Sequence, residues 1–405
     1  MWHYLRVGVR DVSAGNMDAL SAPSEAVGRW ASSAWRLAVD VAGPASVDVD
    51  EKGRFPHESL AAFREARLLS ALLPESVGGE AASLLDVVNA VRAIAMHCAS
   101  SALVLAMHSI EIVNLNRHGN TPELRSLRRE IAERQLLIAN ANSEVGLGGD
   151  VGRSICAVDI NAQPWSLDKK AMAVSYGDNA DLIMATARRS SEANEVDQIF
   201  VALRCDDATL SPLSDWDTLG LRGTCSRGYS LHAIVDKSLI FPVPFSVVAN
   251  DGGGQVRQLL LSAVWVGLAE MAALRAHSYV RAAARKSIGI TPPGALRVSE
   301  ITAELHEVRS LLLASTLRFE ELDAQGDIQN AGLTIALRNL KVTTSETAVR
   351  IATKALGVCG ITGYQRASPF SLDRVIRDAY GGLIMVSNDR YLHDNAQLLL
   401  ARKHL

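Results

Sequence analysis

The chain has 405 residues, 48% of them hydrophobic, with 41 Lys and Arg against 44 Asp and Glu for a formal net charge of −3. That length and apolar content suffice for two or three domains with a large core, and the near balance of charge, spread along the chain, leaves no electrostatic footprint for nucleic acid. The five cysteines (Cys98, Cys156, Cys205, Cys225 and Cys359) form no C-x-x-C pair, which argues against a zinc site or disulfide framework and for a reducing, cytoplasmic setting.

In chain order, Met1 to Gly28 scatters Arg6, Arg10 and Asp11 among apolar residues without a continuous hydrophobic segment, so it does not read as a secretory signal, and Met17 offers a second start. Residues 1–25 are expected to be an extension. Residues 26–134 read as helical. Phe55-Pro56-His57-Glu58 opens a helix through Leu60, Phe63, Ala66 and Leu68, and Pro74-Glu-Ser-Val-Gly-Gly79 reads as a turn. A long apolar helix is expected from Leu84 to His108; His97 and His108 have no companion at ligand spacing and read as packed or surface residues.

The period changes in residues 135–250, read as a β domain. An apolar run from Leu136 to Ala139 leads into Ala141-Asn-Ser-Glu-Val-Gly-Leu-Gly-Gly-Asp150, where Gly146, Gly148 and Gly149 can take backbone angles closed to other residues and press amide groups against a flat or anionic ligand. Ser143 adds a hydroxyl able to donate to a ring carbonyl. Asp181 to Ala187 and Gln198 to Arg204 read as strands, and Tyr229, Leu231, Ala233 and Val235 alternate with Ser230, His232, Ile234 and Asp236 in the period-two manner of a half-buried strand.

Residues 251–405 return to helix. Val256 to Arg285 forms one helix whose apolar centre, Leu259 to Leu274, carries Glu270 and is too short to cross a bilayer, so it reads as core. Ser299 is placed to cap a second helix with the face Ile301, Leu305, Val308 and Leu312. Helices from Ile335 to Val358 and from Ser371 to about Ala401, separated by Cys359-Gly-Ile-Thr-Gly363, complete an antiparallel four-helix bundle.

Helices, a small β domain and a four-helix bundle occur here in the order of the acyl-CoA dehydrogenase superfamily, which the chain resembles from about Ala26 to Leu405. Ser143-Glu144-x-Gly-x-Gly-x-Asp150 resembles the family's T/S-E-P-G-A-G-S-D loop, and Pro74-Glu-Ser-Val-Gly-Gly79 its P-x-x-x-G-G turn. Trp216-Asp-Thr-Leu-Gly-Leu-Arg-Gly-Thr-Cys-Ser226 is similar to W-x-x-x-G-x-R-x-T/S-x-S. Arg285-Lys-Ser-Ile-Gly289, Gly360-Ile-Thr-Gly363-Tyr364 and Arg374-Val-Ile-Arg377-Asp378-Ala379 look like R-x-x-F-G, G-G-x-G-Y and R-x-x-R-D-A.

The resemblance implies a mainly α fold with a central β-barrel or sandwich, and a flavin, FAD. Ser143, Gly146, Gly148, Gly149, Met172, Val174 and Ser175 would meet its ring, and Arg285, Gly360 and Gly363 its remainder, often across a subunit boundary in a homodimer or homotetramer. Gly149, Arg257 and Tyr380 would border an acyl group carried by CoA or a carrier protein.

The chemistry departs from the pattern. The glutamate that takes the α-proton in most members stands nine positions after the arginine of R-D-A, which here is Val386. A minority place it at the start of the first bundle helix, here Arg257-Gln258. Met172 and Val174 stand where an aromatic residue and a threonine usually face the ring. Asp389, three residues beyond Val386, is the expected substitute base if both lie on one helix face; a solvated aspartate is the competing reading. Dehydrogenation at the α–β bond leads; an oxygen-dependent flavin monooxygenase, with FMN in place of FAD, and a non-catalytic binding homologue are the alternatives. Glu144 and Arg222 are equally compatible with holding loops in place.

Overall fold

The computed structural model describes residues 29–286 and 289–401. Six helices form the first region: α1 (Arg29–Leu37), α2 (Gly43–Lys52), α3 (His57–Glu65), α4 (Leu84–His97), α5 (Ala99–His118) and α6 (Pro122–Arg134). Capping sets their starts. Ser83 accepts from the Asp86 amide while Asp86 returns to the Ser83 amide, and Thr121 accepts from the Leu124 amide ahead of Pro122. The expected helix from Leu84 to His108 is two, because Cys98 takes extended angles (φ −150°, ψ 102°) and restarts the chain as α5.

Seven strands come next: β1 (Ile138–Ala141), β2 (Val158–Asp159), β3 (Ser166–Val174), β4 (Leu182–Arg188), β5 (Gln198–Arg204), β6 (Ala208–Pro212) and β7 (Arg227–Ile234). They form two sheets, β1-β4-β5 and β2-β3-β7-β6, with β1 and β4 parallel and the other pairs antiparallel. The alternation read in β7 holds: Tyr229, Leu231 and Ala233 are buried, while His232 and Ile234 are exposed. In β3 it does not. A register shift between Ala171 and Val174 turns Val174 inward, fully buried, although it lies two residues from exposed Met172.

A short helix, α7 (Phe245–Val248), leads through an irregular turn at Asp251 and Gly252 into α8 (Gly254–Lys286), α9 (Ala295–Gln325), α10 (Ala331–Tyr364), α11 (Asp373–Ile384) and α12 (Asn388–Leu400). α8 is the central element, packed by α4, α5, α9 and α10 and with Trp265 fully buried. The stretch Phe245–Lys286 is long and apolar enough to cross a membrane, but 89% of its apolar window is buried inside the fold, so it is a core helix.

Two bundle expectations need correction. α9 starts behind Gly294, which takes the left-handed conformation (φ 91°), so Ser299 lies inside the helix and does not cap it; the face Ile301, Leu305, Val308 and Leu312 is buried as expected. The interruption expected at Cys359 to Gly363 is present inside α10, where Gly360 leaves helical angles (φ 57°, ψ −140°) and a last short turn runs on to Tyr364. The last segment breaks between α11 and α12, where Val386 has φ 50°, a conformation costly for a β-branched residue. The reading of Met1 to Gly28, and Ser287-Ile288 of the R-x-x-F-G segment, lie outside the described residues.

Candidate functional site

The glycine turn after β1 is built by backbone geometry. Gly146 (φ 97°), Gly148 (φ 57°) and Gly149 (φ 78°) all take positive φ, and a Cβ at Gly148 would meet nothing within 4 Å, so the turn presents an open face of main chain. Its stem is pinned to β3: the Val145 amide donates to the Lys170 carbonyl (3.0 Å) and the Met172 amide to that of Ser143 (3.3 Å). The Ser143 hydroxyl accepts from the Ala173 amide (3.3 Å) and donates to the Ala173 carbonyl (3.4 Å), both long bonds that a better-placed ligand acceptor could displace. Beneath the turn, Glu144 is buried and accepts from Lys169 (2.7 Å), the Ser154 hydroxyl and the Ile155 and Cys156 amides (2.9 and 3.0 Å). Burial alone would push its carboxyl up; the Lys169 ammonium and these donors outweigh it and hold the group at about 2. Glu144 is thus a loop anchor that is ionised at neutral pH.

From the far side, Arg390 in the first turn of α12 donates to the carbonyls of Gly148 (2.6 Å) and Gly149 (2.5 Å), locking the turn to the bundle. Nothing in the spacing singles out Arg390. Met172, 44% exposed, touches the same spot, its methyl group 3.9 Å from a Cβ built at Gly149. The turn, Ser143, Met172 and Arg390 therefore form one surface, and three glycines of positive φ suit a flat group laid against amides. Val174 does not belong to it, since the bulge buries its side chain; Ser175 is buried too, bonded to the Ser226 hydroxyl at 2.7 Å.

The eleven-residue segment and the R-D-A helix are two halves of one joint. Arg377 pairs with Asp50 of α2 (2.5 Å) and donates to the Leu219 carbonyl (3.0 Å). Asp378 accepts from the Leu221 amide at 2.7 Å; burial pushes its carboxyl up to about 6 against that bond. Gly220 lies so close that a Cβ there would stand 2.2 Å from the Arg377 carbonyl oxygen. Arg222 reaches the Asp50 carbonyl (2.8 Å) and Asp217 (2.6 Å), a loop-holding role.

The premise for Asp389 fails. Val386 belongs to neither helix, so residues 386 and 389 share no helical face, and Asp389 is exposed in the first turn of α12. The Val386 carbonyl instead accepts from Lys341 (3.0 Å), a fully buried lysine of α10 that also donates to the Gly382 carbonyl (2.9 Å) and Asn388 Oδ1 (2.7 Å). Burial pushes Lys341 down to about 8, which leaves it charged at neutral pH. Arg257 is half-buried, Tyr380 is 44% exposed, and His108 is a packed residue, its Nε2 2.7 Å from the Leu69 carbonyl and its Nδ1 3.1 Å from the Ile138 amide. Burial pushes the His108 imidazole down to about 4.

Arg285 is exposed at the C-terminal end of α8. From Gln258, near the glycine turn, to Arg285 the helix runs about 40 Å at 1.5 Å per residue. A cleft of about 620 Å³ at that end lies between Tyr279, Gly294, Arg297, Lys354 and Gly357. The glycine turn and Arg285 therefore lie toward opposite ends of α8.

Two family models match the chain: the acyl-CoA dehydrogenase N-terminal domain over residues 29–126 and the acyl-CoA dehydrogenase C-terminal domain over residues 255–385. The chain belongs to the acyl-CoA dehydrogenase superfamily. It is 26% identical over 349 residues to cyclohex-1-ene-1-carbonyl-CoA dehydrogenase of Geobacter metallireducens, covering 83% of this chain and 87% of that protein. Among solved structures it is similar to butyryl-CoA dehydrogenase of Megasphaera elsdenii (TM-score 0.79, 17% identity, 93% and 99% of the two chains). It is equally similar to FMN-bound TdsC, a dibenzothiophene monooxygenase of Paenibacillus sp. A11-2 (TM-score 0.80, 19% identity, 93% and 98%).

Proposed function

We propose that this protein is a flavin-dependent oxidoreductase that removes hydrogen across the α–β bond of an acyl thioester carried by CoA or by a carrier protein. The observation that carries the reading is the open, positive-φ glycine turn gripped by Arg390 at the junction of the β domain and the bundle. FAD supplies the hydride acceptor when bound. Ser143 and the amides of Gly146 to Gly149 would hold the flavin ring, Met172 would adjoin it, and Lys169 through Glu144 keeps the turn from shifting. Arg285, Gly360 and Gly363, at the distant end of the bundle, would hold the cofactor of a second copy, in a homodimer or homotetramer. Arg257 and Tyr380 border the acyl group. The test is an anaerobic visible spectrum of the FAD-loaded protein before and after a panel of acyl-CoA thioesters. Bleaching of the oxidised flavin band supports the reading; a yellow protein that no thioester bleaches refutes it for CoA substrates and moves the question to carrier-bound ones.

A second reading has its own support. Val386 stands where a carboxylate is expected, and the fold is as similar to an FMN-bound monooxygenase as to a dehydrogenase. An oxygen-dependent monooxygenase would draw reduced flavin from an external reductase and leave labelled oxygen in its product. A colourless protein that takes up neither FAD nor FMN would instead mark a non-catalytic binding homologue.

A further inference from the structure

Five carboxylates are buried among the described residues: Asp50, Glu111, Glu144, Glu270 and Asp378. Three are neutralised by ion pairs, Asp50 with Arg377 (2.5 Å), Glu144 with Lys169 (2.7 Å) and Glu270 with Arg92 (2.5 Å). Asp378 is spent on the Leu221 amide in the interdomain joint. Glu111, 1% exposed on α5, is different. Its two oxygens accept only from neutral amides, Oε1 from Asn140 (3.1 Å) and Oε2 from Asn114 (2.9 Å). These donors fix the orientation of the carboxyl without cancelling its charge.

Through Asn140 it is tied to β1, the strand that leads into the glycine turn. Asn140 lies in β1, three residues before Ser143. The charge of Arg257 in the first turns of α8 acts on both Glu111 and Tyr391 of α12, yet among the described residues its guanidinium makes no hydrogen bond and no ion pair. Tyr391 comes directly after Arg390 and accepts from Gln258 Nε2 at 2.5 Å. Two further buried acceptors nearby in sequence, Asn142 Oδ1 and Gln258 Oε1, have no donor. The two buried side-chain carbonyls without a donor, and a buried carboxyl without an ion pair, are polar groups lacking the partners that buried groups normally have, which is what a bound ligand would supply.

We infer that Glu111 supplies the base missing at Val386, taking the α-proton of the thioester from α5 rather than from the break between α11 and α12. This rests on the dehydrogenase reading. In the step, a Glu111 oxygen forms a bond to the α-proton, and the α C–H electron pair becomes the Cα–Cβ π bond. The β-hydrogen leaves with its own electron pair to the oxidised flavin. Burial raises the Glu111 carboxyl, with Asn114, Arg257 and Asn140 opposing, in the direction a base needs to accept a proton near neutrality.

The test compares wild type, Glu111→Gln and Glu111→Asp, each loaded with FAD, using a thioester that bleaches the wild type. Two readouts are followed: the bleaching rate, and exchange of the α-proton with deuterium from solvent. The Gln variant is expected to lose 100-fold or more in both, within the range of about 10²–10⁴ for a general base, while taking up FAD normally; the Asp variant recovers part of the rate. Equal bleaching and exchange in wild type and Gln variant overturn the inference and leave the dehydrogenase reading standing. Failure of every CoA-bound and carrier-bound thioester to bleach the wild type overturns both. A third readout needs no flavin. A carboxyl raised by folding loses stability as pH rises through its folded pKa, so the Gln variant should gain melting temperature relative to wild type as pH rises above the ordinary glutamate value of 4.5. No relative gain would show that Glu111 does not hold a proton in the fold and would also overturn the inference.

Discussion

Replacing Glu144 by Gln separates a structural from a catalytic carboxylate inside the glycine-turn segment. Glu144 is held at about 2 against an ordinary 4.5, which at 1.36 kcal/mol per pH unit amounts to about 3 kcal/mol favouring the ionised, folded state. The Gln variant loses that contribution and strands Lys169, fully buried, beside an amide that cannot neutralise it. The expected loss is therefore about 3 kcal/mol at pH 7 by chemical denaturation. The sign of the pH dependence comes from the depressed value: the contribution is complete above the unfolded pKa and disappears as pH falls from about 4.5 toward 2. Wild type should lose stability over that window and the Gln variant should lose less. A destabilisation below about 1 kcal/mol, or an unchanged acid limb, would refute the assignment of Glu144 as the anchor of the turn.

Two further outcomes test the joints around the site. Arg390→Ala frees the Gly148 and Gly149 carbonyls and should weaken FAD uptake by the apoprotein about tenfold, roughly 1.4 kcal/mol for an exposed charged donor; titration of FAD fluorescence measures it, and an unchanged affinity would remove the clamp from the site. Gly220→Ala drives a Cβ to 2.2 Å from the Arg377 carbonyl oxygen, which cannot yield without moving α11, so a loss of about 1–3 kcal/mol is expected in thermal or denaturant unfolding. Arg222→Ala, which leaves that contact intact, should cost less.

The periodic features are legible in the sequence because each records one face meeting the core: Tyr229, Leu231 and Ala233 on β7, and Ile301 to Leu312 on α9. The glycine turn is legible because its backbone angles exclude other residues. The readings that fail depend on single dihedrals. Cys98, Val386 and the bulge beyond Ala171 each interrupt a periodic run with residues that have no breaking propensity, and each changes the facing of the residues beyond it. Spacing alone therefore points Val174 at a ring and sets Asp389 on a face shared with Val386. Glu111 gives no signal, being one polar residue in a helix; it is buried because β1 lies over α5 and Asn140 reaches it. Arg390 is equally silent, since its partners are backbone atoms some 240 positions earlier in the chain.

Lys341 gives the break after α11 an electrical character. An ammonium lies under the Val386 carbonyl, bonded there and to Gly382 and Asn388, with no carboxylate among its hydrogen-bond partners. An acid grafted at position 386 would enter a positive field that favours its ionised form, the opposite of the condition required by a group meant to gain a proton near neutrality. The change from carboxylate to valine is therefore not undone by one substitution: restoring proton transfer at this break would also require withdrawing the charge of Lys341, and with it the support of the strained turn it holds.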